Sequence, residues 1–122
     1  MPGKPPAPTD HVRKADANKD FGYAMNPAYP TCAGWALTAM FYSALHYAEA
    51  YFLKTSVRVD SHGDRLDAIK SDPNLSKIYA YYRHLSDYGF NARYRLTVYG
   101  KADVDKAKPS LEAVERHIKR LL

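Results

Sequence analysis

The sequence predicts an all-α protein, a bundle of four or five helices in up-and-down order. Two segments, 75–96 and 104–121, place an apolar residue at every third or fourth position, which is the spacing of one helix face. A third segment, 31–55, is apolar on nearly every side, as expected of a helix that other helices surround. Only residues 93–99 offer a strand candidate. A helical bundle is therefore the predicted class.

The chain starts with a proline-rich segment, residues 1–8, that has no apolar run. This segment predicts a disordered tail rather than a secretory signal or an anchor, and residues 9–122 form the predicted domain. A first helix is expected over about 9–25, because Thr9 can cap it and strong helix formers follow. Its expected inward positions are Val12, Ala15, Phe21 and Ala24.

Turn and capping residues separate the later helices. Prolines 27 and 30 end the first helix, and Thr31 can cap the second, which runs to about Thr55. Ser61 and Asp64 form a variant of the capping box at the start of a short helix, 61–71. The next two helices are predicted at 75–96, with inward positions that include Tyr82 and Leu96, and at 102–121.

Two residues interrupt these last helices. Gly89 inside a helix costs about 1 kcal/mol relative to Ala, so either a neighbouring backbone passes close to it or the helix is locally weakened. Pro109 lies within an apolar pattern that stays in phase across it. We therefore expect one helix with a kink near Lys108, or a fresh start there.

Composition restricts the class of protein. The chain has 122 residues, of which 46% are apolar, enough for one domain. Its single cysteine, Cys32, cannot form an internal disulfide, so a cytoplasmic protein is predicted. Residues 32–53 are long enough to cross a bilayer, but Glu49 lies within them and would be costly in lipid, so no membrane is expected. The net charge of +5 permits an acidic partner such as nucleic acid.

His46 and Glu49 lie three residues apart on one face of the most apolar helix. They can be a structural polar pair, the edge of a ligand pocket or part of a metal site. Di-metal carboxylate bundles use Glu-x-x-His motifs and further carboxylates, whereas this chain has a single His-x-x-Glu in an apolar helix. We expect no metal and no cofactor, and we expect the pair to face Arg and Tyr residues of the 75–96 helix.

Two further groups can carry chemistry. His62 and Arg65 lie at the start of the short helix, where a His can protonate a leaving oxygen and an Arg can stabilise a phosphate, as in metal-independent RNA cleavage. Tyr82, Arg83 and Arg93 belong to a segment in which Arg and Tyr alternate closely. Such residues can pair phosphates and stack bases, and they can equally neutralise acidic groups or form a dimer surface.

The arrangement of these residues follows a wider pattern. A helix from Trp35 to Tyr51 carries His46 and Glu49, the sequence Ser-His-x-x-Arg ends at Arg65, and a helix with Tyr82-Arg83 leads to Arg93. This pattern resembles the HEPN superfamily of small helical bundles over residues 9–121. The resemblance implies a bundle that often dimerises, with RNA as the usual target, in toxin–antitoxin, CRISPR or phage-defence settings.

Catalytic members of that superfamily use an Arg followed by a His after four to six residues. No histidine of this chain has an Arg at that distance before it, and Arg58 to His62 is one residue short. The sequence therefore predicts a HEPN-like module of RNA-related or defence function, binding RNA or a nucleotide, with divergent cleavage left open. Its candidate catalytic residues are His62, Arg65 and Arg83, and its candidate binding residues are His46, Glu49, Tyr82 and Arg93. The alternative is a non-enzymatic module that forms a homodimer or docks a partner protein, with a structural polar cluster.

Overall fold

The computed structural model describes residues 3–122, apart from the side chain of Pro30, and within them it contains five α-helices. A 3₁₀ turn at Ser76–Ile78 leads into the fourth helix, and residues 3–122 contain no β-strand, so the predicted all-α class is confirmed. The helices are α1 (Pro8–Ala24), α2 (Pro30–Lys54), α3 (His62–Ser71), α4 (Tyr79–Tyr94) and α5 (Lys101–Leu121).

Helix α2 lies at the centre of the bundle and packs against α1, α4 and α5, while α3 packs against α4. Helices α1 and α2 are antiparallel, since His11 meets His46 near one end and Gly22 meets Ala36 near the other. Helix α5 runs parallel to α2, because Lys54 at the end of α2 donates to the carbonyl of Leu121. The four long helices therefore alternate in direction along the chain, and the apolar character of α2 follows from its three neighbours.

The inner face of α1 matches the prediction at Ala15, which is buried, and at Val12, which packs against the core, but not at Phe21 and Ala24. Phe21 is 58% exposed and Ala24 is exposed, whereas Ala15 and Gly22 are buried. A Cβ atom on Gly22 would lie 3.1 Å from the carbonyl oxygen of Ala36. The two helices approach so closely that small residues, rather than large apolar ones, form this face.

The helix boundaries correct two predictions. Thr31 does not cap α2, because the helix already begins at Pro30 and proline is favoured in the first turn. Leu96 is fully exposed, since α4 ends at Tyr94 and an extended segment follows it. Ser61 does cap α3 as predicted, and its Oγ accepts from the Asp64 amide at 3.0 Å.

Both interrupting residues lie within helices. Helix α5 continues through Pro109 as one element, and its buried face includes Val104, Leu111 and Ile118. Gly89 packs on the Phe41 side chain of α2, where an added Cβ would lie 2.8 Å from the Phe41 Cβ. The close neighbour of Gly89 is thus an aromatic side chain and not a backbone.

The tail boundary falls near the predicted one. Residues 3–7 are exposed and lie outside the helices, and α1 starts at Pro8. The first two residues of the predicted tail lie outside the described part of the chain. Over residues 3–122, no helix is long and apolar enough to cross a membrane.

Candidate functional site

A single stripe of α2 stays partly open to solvent. Between positions 35 and 49 of this helix, four residues are not buried and the rest are. The four follow one another at spacings of seven, four and three, which places them on one helix face. We call this set the α2 stripe; it consists of Trp35, Tyr42, His46 and Glu49. The remaining sides of α2 contact neighbouring helices, so the stripe is the surface through which this helix can meet a ligand.

Glu49 forms an ion pair with Arg65 of α3. The carboxylate oxygen Oε1 accepts from Arg65 Nε at 2.7 Å and lies 2.6 Å from Nη2. The Arg65 side chain is only 10% exposed and that of Glu49 21%, so the charge of Arg65 is neutralised within the fold. Arg65 is therefore not free to bind a phosphate, which is the role that its position in the sequence suggested.

His62 lies on the outer side of this ion pair. Its Nδ1 is 3.1 Å from Arg65 Nη1, and since a guanidinium can only donate, Nδ1 accepts and the ring proton of neutral His62 is on Nε2. Burial, together with the charges of Arg65 and Arg93, lowers the pKa of His62 below its ordinary value. At neutral pH the exposed ring is therefore an uncharged hydrogen-bond donor through Nε2.

Tyr82 lies beneath the same ion pair, fully buried. Its hydroxyl is beside the Arg65 guanidinium but has no well-directed hydrogen bond within residues 3–122. Burial raises the pKa of Tyr82 well above its ordinary value, so the phenol stays neutral. Tyr82 thus supports Arg65 from inside and has no surface for a ligand.

His46 contacts α1 rather than the 75–96 segment. Its Nδ1 lies 3.0 Å from His11 Nδ1, and the two rings are stacked with centroids 5.3 Å apart. Burial lowers the pKa of His46, the neighbouring His11 and Lys14 lower it further, and Glu49 acts weakly in the opposite direction. The prediction that His46 and Glu49 face Arg and Tyr residues of the 75–96 helix is wrong for the Arg residues, since the partners are His11 of α1 and Arg65 of α3. Of the Tyr residues, Tyr82 does lie near Glu49, on the inner side of the Glu49–Arg65 pair.

Arg93 occupies a box of aromatic rings next to the α2 stripe. Its Cζ lies 5.4 Å from the ring centre of Phe41, 5.0 Å from that of Tyr42 and 5.1 Å from that of Tyr94. Its Nε and Nη1 are shielded from solvent, and they have no hydrogen-bond partner among the described residues. Phe41 also contacts His62, with ring centres 5.6 Å apart, so Arg93 and His62 both contact the same aromatic ring.

Arg83 is the candidate that the fold does not bring to this cluster. It is exposed, and its nearest acidic neighbour is Asp87 of the same helix, 3.9 Å away. Adjacent helical residues point about 100° apart, so Arg83 faces solvent because Tyr82 faces the core. The structure therefore brings His62, Arg65, Glu49 and Tyr82 together, places Arg93 and His46 beside them, and leaves Arg83 outside.

Two residues of this site, His11 and Trp35, are not among the candidates that the sequence predicted. His11 lies in a helix whose apolar periodicity is weak, so nothing local indicated that it faces α2. Trp35 is 58% exposed although it is the only tryptophan of the chain. Its spacing of seven residues from Tyr42 was the available signal, since that interval returns to the same helix face.

A second polar cluster joins α1, α2 and α5 on the other side of the bundle. The hydroxyl of Tyr47 lies between Asp16, to which it forms a short hydrogen bond, and Glu115, 3.1 Å away. Lys119 is 3.1 Å from Asp16 and 2.8 Å from Glu115, and Lys19 is 2.7 Å from Glu115. Each charge here has an opposite partner, so this cluster is a structural connection between helices.

No three His, Cys, Asp or Glu side chains of residues 3–122 come together as a metal-binding group. Comparison with protein-family models, with curated proteins and with solved structures finds no match for this chain. The fold and the site therefore define the class: an all-α bundle whose central helix presents a polar and aromatic stripe between α1, α3 and α4.

Proposed function

We propose that this chain is a HEPN-like helical module that binds RNA through Arg93 and His62 and does not cleave it. The observation that carries the proposal is the state of Arg93, a partly buried guanidinium held among aromatic rings without an acidic partner in the described structure. A guanidinium without an acidic partner favours an anionic ligand. Because Nε and Nη1 are shielded, the remaining nitrogen, Nη2, is the one that a phosphate can contact.

The position of His62 supports the same function. Its exposed Nε2–H donor and the Arg93 guanidinium both contact the Phe41 ring, so the two groups are near enough to serve the same RNA strand. The net charge of +5 favours approach of a polyanion. The resemblance to the HEPN superfamily adds RNA as the polyanion that such bundles usually bind.

The same geometry argues against cleavage. A general base must accept a proton at the atom that faces the substrate, but the outward Nε2 of His62 carries the proton and its acceptor nitrogen is occupied by Arg65. Arg65, in turn, is neutralised by Glu49. His62 and Arg65 thus orient a donor and do not form an acid–base pair.

The test measures binding and cleavage separately. A labelled single-stranded RNA of about 12 nucleotides is titrated with the protein by fluorescence anisotropy, without added metal and at about 50 and 200 mM salt, and is then run on a denaturing gel. We expect binding that weakens with salt and an RNA that stays intact. Arg93→Gln should weaken binding about tenfold or more.

Arg83→Gln is the matched control, because it removes the same charge from the same helix at a position outside the site. It should change binding only slightly. Absence of binding by the parent protein, or equal losses for the Arg83 and Arg93 variants, would contradict the proposal. Metal-free cleavage that disappears in His62→Gln would restore the catalytic role of His62.

A second candidate function is a protein-interaction module, which a different observation favours. Leu96 is fully exposed, Val98 is 75% exposed and Tyr94 67%, so the segment after α4 presents an apolar surface. Such surfaces often mark contacts between proteins. Sedimentation velocity of the parent and of a Leu96→Ser, Val98→Ser variant tests this: a dimer that the double substitution dissociates would support it, and a monomer at all concentrations would contradict self-association.

A further inference from the structure

A groove opens where the start of α2, the end of α4 and the extended segment after α4 meet. Its volume is about 510 Å³, within the range of roughly 300–1,000 Å³ typical of small-ligand sites. It is lined by Trp35 and Thr38 of α2, by Arg93 of α4 and by residues 97–99 of the segment after α4. The groove thus adjoins the residues assigned to RNA binding but extends beyond them.

Trp35 gives this groove an exposed aromatic face. The side chain lies on a helix whose other large apolar residues are mostly buried, yet 58% of it is open to solvent. An indole beside a groove offers a flat surface on which a nucleobase can stack, because every base has an aromatic face. Thr31 adds an exposed hydroxyl group along the same side of the groove.

The charge at the groove selects the kind of ligand. Arg93 contributes a guanidinium without an acidic partner in the described structure, and Arg95 follows two residues later with its Cζ 5.4 Å from the Phe90 ring centre. Interleaved Arg and aromatic side chains are the usual composition of sites that bind single-stranded nucleic acid. An apolar peptide would leave the Arg93 charge uncompensated, so charge complementarity favours a phosphodiester chain.

We infer that this groove holds one unpaired base of a single-stranded RNA, stacked on Trp35, with the adjoining phosphate against Arg93. The inference rests on the proposed RNA-binding function and specifies its ligand as single-stranded. A base within a duplex cannot enter, since it is stacked and paired, whereas splayed bases of single strands are the ones that proteins stack on aromatic side chains. The extended backbone of residues 96–99 forms no hydrogen bond within residues 3–122, so its amides and carbonyls are free to meet the edge of the base.

The experiment uses the intrinsic fluorescence of Trp35, the single tryptophan of the chain. The protein is titrated with oligouridine and oligoadenosine of about 12 nucleotides, with DNA strands of the same sequence, with duplex RNA, with uridine monophosphate and with inorganic phosphate. We expect saturable quenching by the single strands, and none by the duplex or by phosphate. Equal quenching by the matched DNA strands would support base stacking on Trp35, and it would contradict a preference of the groove for RNA over DNA.

Substitutions connect the signal to binding. Trp35→Ala should weaken binding of labelled oligouridine, followed by anisotropy, by about tenfold, and Trp35→Phe should restore most of it. Because Trp35 is exposed, neither change should alter the melting temperature by more than a few degrees. Arg93→Gln should weaken the quenching titration about tenfold or more, and Arg83→Gln should leave it unchanged.

Each result separates the inference from the function on which it rests. If RNA binds by anisotropy while Trp35 emission stays unchanged and Trp35→Ala binds like the parent, the groove is not the site and only this inference fails. If no RNA binds at all, the proposed function fails with it. If Trp35 emission decreases with protein concentration and does not respond to RNA, a second copy of the chain occupies the groove and the inference is wrong. If uridine monophosphate binds as tightly as oligouridine, the inference that the ligand is an RNA strand is wrong and the groove binds a free nucleotide.

Discussion

His11 and His46 connect α1 to α2 through their Nδ1 atoms, 3.0 Å apart. One ring must donate and the other accept, so the contact needs at least one neutral imidazole with a defined tautomer. Protonation of His46 would place its positive charge against His11 and near Lys14, and both neighbours disfavour that charge. The α1–α2 contact therefore depends on pH in the range where histidine titrates.

We expect the protein to lose stability as the pH falls below about 6.5. Burial lowers the pKa of both His46 and His62 in the folded state, so the unfolded chain binds more protons in this range. The stabilisation is thus fully present above the unfolded pKa and is lost as the pH decreases below it. Urea denaturation between about pH 7.5 and 5 measures this, since most carboxylates remain ionised there.

A His46→Gln, His62→Gln double variant is the control for that experiment. It lacks both groups with a lowered pKa, so its stability should change less over the same pH range than that of the parent. Parallel pH profiles for the two proteins would show that neither histidine is responsible.

Breaking the Glu49–Arg65 ion pair should destabilise the fold by about 2 kcal/mol. Glu49→Ala leaves the buried Arg65 guanidinium without its carboxylate, and Arg65 is only 10% exposed. Glu49→Gln, which keeps one acceptor oxygen, should cost less. The measurement is the free energy of unfolding from urea denaturation.

The exposed pair Arg83 and Asp87 provides the comparison. Both side chains are more than 60% exposed and their charges are 3.9 Å apart, so Arg83→Ala should change stability by less than about 0.5 kcal/mol. If Glu49→Ala and Arg83→Ala change the free energy of unfolding equally, the burial of Arg65 does not strengthen its ion pair.

Gly89→Ala should destabilise the protein, although alanine is the better helix former. The helix propensity favours Ala by about 1 kcal/mol, but the new Cβ would lie 2.8 Å from the Phe41 Cβ. Overpacking of this kind costs about 1–3 kcal/mol. Gly34→Ala is the matched variant, because its Cβ would meet Ala92 at an ordinary 4.0 Å. Gly34→Ala should raise the melting temperature. If Gly34→Ala instead destabilises the protein and Gly89→Ala does not, close packing of Gly89 on Phe41 is not what determines the effect.

Tyr47→Phe should cost about 1–2 kcal/mol of stability. It removes a hydroxyl that lies between Asp16 and Glu115 and donates its single proton chiefly to Asp16. Tyr23→Phe removes a more exposed hydroxyl, 3.1 Å from Glu112, and should cost less. Thermal unfolding of the two variants measures both costs. Equal losses of stability for Tyr47→Phe and Tyr23→Phe would show that burial of the Tyr47 cluster does not affect its contribution.

Periodicity was sufficient to predict the class and most helices. The apolar stripes at 75–96 and 104–121 are long and regular, so both segments are predicted correctly as helices and Tyr82 is placed correctly in the core. The pattern failed where packing, and not hydrophobicity, selects the residue. Gly22 faces α2 because the helices nearly touch there, and no count of apolar residues could have preferred it to Phe21.

The candidate site was predictable in its residue types and less so in its pairings. His62 and Arg65 lie three apart in one helix, so their contact could be anticipated from spacing. The Glu49–Arg65 pair and the His11–His46 contact join separate helices, and their distances depend on how those helices pack. The exposure of Arg83 was implicit in the apolar stripe, which turned Tyr82 inward and hence Arg83 outward.

The close approach of α1 and α2 also bears on the order in which the chain folds. Only five residues, 25–29, connect the two helices, and they share the most extensive packing in the bundle. Contacts between segments so near in sequence close a short loop at small entropic cost and form rapidly. By contrast, the bonds from α1 to Glu115 and from α2 to Leu121 span most of the chain. We therefore expect the α1–α2 hairpin to form first and docking of α5 to complete folding.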